Sequence, residues 1–181
     1  MILNDMQIVA LNAVKPFIAH KVRGDGVMSY GLDSYGYGLR LADEFMVPNR
    51  TLSGVLDPKA MVEEFFVRTT GDWLVIEPRQ CVLGRTLEYI TMPDDVLGIV
   101  HGKSTYARLG ITIIVTPIEP GWQGQITLEI ANVGSRPVKV YAGEGIGQIV
   151  FFRGEPPRNA YDGYYQGQVG VTTARNYEEN T

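Results

Sequence analysis

Two short stretches, about one strand apart, concentrate the side chains able to do chemistry. Gly102-Lys103-Ser104-Thr105-Tyr106-Ala107-Arg108 supplies cations and hydroxyls, and Pro120-Gly121-Trp122-Gln123-Gly124-Gln125-Ile126-Thr127-Leu128-Glu129-Ile130 supplies a single carboxylate. Lys103, Ser104, Thr105 and Arg108 read as an anion cradle, in which the cations neutralise phosphate charge while hydroxyls and backbone amides meet its oxygens. Glu129 is suited to proton transfer. Together they point to a nucleotide enzyme that activates water with protein groups alone.

Two familiar alternatives fail on residue type. A P-loop needs glycine at position 97, where the chain has Leu97, and a helix after the lysine, where a β pattern soon begins at Ile111. A zinc nucleobase deaminase needs a His or Cys with Glu two residues on, followed by Cys-x-x-Cys. His20, His101 and Cys81 are the whole stock of His and Cys, too few for a zinc site. His20 is expected at the surface, and His101 in a structural role.

The elements that must hold these groups follow from periodicity. Asn4 with Gln7 three residues on, ahead of Ile8 and Leu11, predicts a short N-terminal helix. Between Gly24 and Gly38 the chain is rich in glycine and tyrosine, which predicts a looping hairpin. Short strands are predicted at 73–76, 82–91, 96–101, 111–116, 125–132, 138–141 and 146–152. In the strand at 125–132, Ile126, Leu128 and Ile130 share one face and Glu129 takes the other. The cradle must then pass near the same sheet, and Arg108 is expected to reach Glu129 while burial tunes its proton affinity. Regular strands without helical periodicity between them imply a mainly β fold, an antiparallel sandwich or barrel of jelly-roll type.

Composition sets the outer limits. The 181 residues, 45% hydrophobic and 20% charged, suit one soluble domain over 1–181 with a polar, mobile tail within 171–181. A net charge of −4 argues against nucleic acid as a partner. One cysteine excludes an intrachain disulfide and suits a reducing compartment, the cytoplasm. No apolar run is long enough to cross a bilayer, so no membrane partner is expected.

The chain resembles the dCTP deaminases of the dUTPase-like superfamily. The resemblance rests on Gly102-Lys-Ser-Thr-Tyr-Ala-Arg-Leu-Gly, Val115-Thr-Pro-Ile-Glu-Pro-Gly-Trp, Thr127-Leu-Glu, Gly143-Glu-Gly-Ile-Gly-Gln148 and Tyr165-Gln-Gly-Gln168-Val-Gly170-Val, in that order. It runs from Ser29 to near Val171. It implies a distorted jelly-roll-like β-barrel, a homotrimer with shared sites, and zinc-free hydrolysis of dCTP to dUTP and ammonia. By that similarity Glu129 is the general base and proton shuttle, and Ser104 and Arg108 come from a neighbouring subunit. Lys103, Ser104, Thr105, Arg108, Gln148, Tyr161 and Gln168 would meet the triphosphate and sugar, with Mg2+ carried on the phosphates. Thr116, Glu119, Trp122, Thr127 and Leu128 complete the implied substrate pocket.

Departures from the family pattern are Gly38 in place of Asp, Tyr164 in place of Lys, a short Tyr161–Tyr165 stretch, and two residues fewer between Thr116 and Glu119. Two other readings compete. One is a dUTPase, or a combined deaminase and diphosphatase, with Glu119 directing water at the α-phosphate. The other is a non-catalytic barrel that senses a pyrimidine nucleotide. The segment from Tyr161 to Val171, jointed by Gly163, Gly167 and Gly170, is expected to be mobile without ligand and to close over a bound triphosphate.

Overall fold

The computed structural model describes residues 1–175, so the polar stretch 176–181 lies outside the described residues. Helix α1 (Asp5–Leu11) begins as expected. The Asn4 side chain accepts from the Gln7 N–H, and the Gln7 side chain accepts from the Asn4 N–H, so the capping pair closes in both directions. Asn12, in the left-handed conformation, ends the helix.

Strands β1 (Val14–Lys15), β2 (Lys21–Gly24), β3 (Val27–Asp33), β4 (Gly36–Arg40), β5 (Glu44–Pro48), β6 (Phe66–Thr70) and β7 (Trp73–Ile76) follow. After them come β8 (Cys81–Thr91), β9 (Val96–Gly102), the five-residue helix α2 (Ser104–Arg108), β10 (Ile111–Ile114), β11 (Gln123–Asn132), β12 (Val138–Tyr141) and β13 (Gly145–Arg153). All seven expected strands form. The glycine- and tyrosine-rich stretch folds as two successive hairpins, β2–β3 and β3–β4. Three strands were not legible. β1 has two residues, β6 is mostly solvent-facing, and β5 buries both Phe45 and Met46, so no alternation marks it.

The strands form a six-stranded sheet in the order β10-β11-β8-β5-β6, with β1 also on β8, and a five-stranded sheet in the order β2-β3-β4-β13-β9. A two-stranded sheet, β12-β7, completes the set. The inward faces share one apolar core, which includes Tyr37, Leu39, Val82, Ile90, Ile126, Leu128, Ile130 and Phe151. The result is the expected jelly-roll-like β fold. Among the described residues no helix is long and apolar enough to cross a membrane.

One polar cluster is built into this core. The β8–β11 ladder shifts register between Gln125 and Thr127, where three residues of β8, Thr86 to Glu88, oppose Ile126 alone. The Thr86 hydroxyl replaces the lost ladder bond, accepting from the Ile126 N–H at 2.9 Å and donating to the Glu88 carbonyl at 2.7 Å. Glu88 is fully buried, and Arg40 of the facing sheet donates to its two carboxylate oxygens, from N at 2.9 Å and from Nε at 2.7 Å. Burial pushes the Glu88 carboxyl up, and the Arg40 contacts offset this only in part.

Arg40→Met keeps the aliphatic stem but leaves a buried carboxylate without its cation, so urea unfolding should show a loss of about 3–5 kcal/mol. A midpoint like that of the parent would show that the pair does not join the sheets.

Candidate active site

The alternation of β11 decides where Glu129 goes. Ile126, Leu128 and Ile130 are 0–2% exposed in the core, and each contributes about 1.5–3 kcal/mol by leaving water. That sum outweighs the cost of half-burying one carboxylate, so Glu129 is held on the outer face opposite Leu83 of β8 and Ile114 of β10. Burial pushes its carboxyl above the ordinary range, opposed only by its own backbone N–H.

Glu129 lines a cavity of about 700 Å³. Thr116, Glu119, Trp122, Thr127, Tyr161 and Gln168 line it as well, so the fold gathers seven of the residues read from the sequence. Leu128 is not among them, because alternation turns its side chain into the core. Glu119 is exposed, in contrast to the half-buried Glu129.

Lys103, Ser104, Thr105, Arg108 and Gln148 lie elsewhere. Helix α2 links β9 of the five-stranded sheet to β10 of the six-stranded one, against which it packs, and Gln148 of β13 pairs with His101 and Gly38 in the five-stranded sheet. The expected contact between Arg108 and Glu129 therefore does not form within the chain; Arg108 Nη1 instead donates to the Ser104 carbonyl at 3.1 Å. The stretch read as an anion cradle winds into one short helix, with Tyr106 buried as its anchor. Burial, with Lys21 nearby, pushes the Lys103 ammonium down, and Asp33 opposes the shift. Arg108 and Thr105 border a second cavity with Arg136 and Lys139. His20 is exposed as expected, and His101 is exposed as well.

The stretch expected to be loose is docked in this structure, by polar contacts instead of aliphatic ones. Trp122 Nε1 donates to the Tyr165 carbonyl at 3.0 Å, and Gln168 Nε2 donates to the Gln125 carbonyl at 2.7 Å. Gln168 also bridges in parallel to Gly124. Gly124 has φ +151°, and a Cβ there would stand 2.8 Å from the Gln168 carbonyl oxygen, so glycine permits the close approach. Val171, placed at the start of the expected tail, is buried. Gly38 has a similar explanation, since a Cβ there would meet the Tyr30 Cα at 2.8 Å.

Sequence reasoning missed other walls of the cavity: Leu56, Pro58 and Met61 from the β5–β6 connection, Leu83 and Ile114 beside Glu129, and Thr172 to Ala174. The connection has scattered apolar residues with no period, and no signal in it points to a site. Leu83 and Ile114 follow once the strand register is known. Among the described residues, no group of three or more His, Cys, Asp or Glu side chains could hold a metal ion.

Comparison with known proteins accords with this geometry. The chain is 50% identical over 166 residues to a dCTP deaminase of Herpetosiphon aurantiacus, covering 90% of each. A crystal structure of 2′-deoxycytidine 5′-triphosphate deaminase from Agrobacterium tumefaciens superposes with a TM-score of 0.63 at 23% identity, over 84% of this chain. The match spans about half of that chain, 48%. A dUTPase of Staphylococcus bacteriophage 80alpha gives 0.50 at 14% identity, over 83% of this chain and 88% of its own. The fold is thus of the dUTPase-like class. The family model described as dCTP deaminase-like matches residues 2–154, and the chain belongs to that family.

Trp122→Phe keeps most of the ring volume and deletes one hydrogen bond, worth about 1 kcal/mol. Amide exchange in residues 161–168 should speed up about fivefold, and unchanged exchange would mean that Trp122 does not hold the segment.

Proposed function

We propose that this protein is a dCTP deaminase, hydrolysing dCTP to dUTP and ammonia without zinc. The observation that carries the reading is Glu129 itself, a carboxylate with raised proton affinity and, among the described residues, no cation paired to it, in an aromatic-lined cavity. Close relatives that bear the name dCTP deaminase support the substrate.

Deamination at cytosine C4 replaces the amino group with oxygen from water. In the proposed sequence Glu129 takes one proton from water as the oxygen bonds to C4, and passes that proton to ring N3. It then carries the hydroxyl proton to the amino nitrogen, the C4–N bond breaks, and ammonia leaves with the carboxylate restored. The product dUTP would feed synthesis of dUMP and dTTP. Mg2+ belongs to the substrate and travels on the triphosphate.

The separation of the cations from Glu129 supports a shared site. In a homotrimer, Ser104 and Arg108 of one subunit would orient water and carboxylate in the cavity of the next, and Lys103, Thr105 and Gln148 would meet the phosphates. The cytoplasm is the proposed location. Glu119 favours a second reading, in which the same site also cleaves dUTP to dUMP, because an exposed acid borders the cavity.

Incubation with dCTP and separation of dUTP, dUMP, ammonia and pyrophosphate tests these readings together. Ammonia with dUTP supports the deaminase, dUMP with pyrophosphate adds the second activity, and no product leaves a nucleotide sensor. Glu129→Gln should bind nucleotide yet lose at least about 10²-fold in turnover. Mixing it with Arg108→Ala chains should restore part of the activity, whereas an active monomer by light scattering would refute the shared site.

The pH dependence has a definite sign. A general base must be ionised, and burial raises the pH at which Glu129 ionises, so kcat/KM should fall as pH drops through a value above the ordinary carboxyl range. An Arg108 from the next subunit would oppose this rise, so Arg108→Ala should move the acid limb to higher pH, and a limb at or below the ordinary range in that variant would contradict the role of burial.

A further inference from the structure

Glu44 opens β5, borders no part of the catalytic cavity, and is nevertheless the centre of a charged cluster on the outer face of the six-stranded sheet. Its side chain is 16% exposed. Arg85 Nε of β8 donates to Oε2 at 2.8 Å, and Arg68 Nη1 of β6 donates to Oε1. Arg85 stands opposite Thr127, two residues before Glu129 on the same face of β11. The carboxylate is thereby fixed across three neighbouring strands.

Glu44 also has a third partner. The Val171 backbone N–H donates to Oε2 at 3.3 Å. Around that bond the chain is tied to β11 at each step: Gly170 N–H donates to Gln125 Oε1 at 2.9 Å, and Thr172 N–H to Thr127 Oγ1 at 3.3 Å. Thr172, Thr173 and Ala174 then form one wall of the cavity that holds Glu129. Gly170 has φ +80°, and a Cβ on it would sit 3.5 Å from the Glu44 carboxylate. The backbone thus passes close over a carboxylate whose other bonds are to rigid strands.

We propose that Glu44 is a positioning residue: through the Val171 N–H it fixes residues 170–174 as the wall of the nucleotide pocket. The inference rests on the deaminase reading for the identity of the nucleotide and on geometry for the anchor. A charge-assisted bond to a backbone N–H is stronger than a neutral one, and its acceptor here is already oriented by two guanidinium groups. It is the one bond in this run whose acceptor is charged. Losing it should release the wall without moving Glu129, which β11 holds by its core face.

The test uses the full-length chain and two variants. Glu44→Gln keeps the volume and removes the charge, while Val171→Pro removes the donated N–H and leaves the Glu44–Arg85 pair intact. Both should raise the KM for dCTP about tenfold while kcat changes less than about threefold. In the absence of nucleotide, the Glu44→Gln variant should exchange the Val171 and Thr172 amides at least about fivefold faster, with β11 amides unchanged. Parental KM in either folded variant, or parental exchange at Val171, overturns the proposal. An exchange increase spread over β5, β8 and β11 overturns it as well, because it marks a general loss of stability. If the parent protein releases no ammonia from dCTP, the deaminase reading fails, while the exchange comparison still decides the anchor.

Discussion

The buried pair between Arg40 and Glu88 is the constraint around which the two large sheets are arranged. A carboxylate removed from water is costly unless paired, and Arg40 offers two donors from the facing sheet, which fixes β4 against β8. The local irregularity of β8 follows from the same residues. Thr86 replaces a missing ladder bond with its hydroxyl, and the bulge sets the register of β11 beyond it. Glu129 stands opposite Leu83 because that register is set there.

From this register follows the electrostatic character of the cavity. The six-stranded sheet brings Glu129 together with aromatic and aliphatic walls, while the short helix with Arg108 sits where the chain crosses from β9 to β10 and borders a different cavity. Distance from its own cations leaves Glu129 with the full effect of burial, and its proton affinity rises instead of falling. A guanidinium brought beside it, from whichever subunit, would oppose that shift. The chain thus carries two half-sites of opposite character, bordering different cavities.

The C-terminal segment is attached by a different principle from the core. Few of its side chains are buried, and it is held by directional contacts to Trp122, Gln125, Thr127 and Glu44. Such contacts each contribute little, yet together they specify one path for the backbone. A wall assembled in this way can be rebuilt around a ligand with little disturbance of the core.

The sequence by itself determined much of this. The cap at Asn4, seven strands and the outward direction of Glu129 were legible, because alternation and capping depend on neighbours in the chain, whereas Trp122, Thr127 and Gln168 were implied by the family resemblance. Family motifs added the catalytic reading. Tertiary structure decided the rest: β5 buries consecutive residues, so its period is silent. The separation of Arg108 from Glu129 and the third partner of Glu44 depend on which strands become neighbours. That is a property of sheet order, which sums weak preferences over the whole chain and leaves no local mark on these residues.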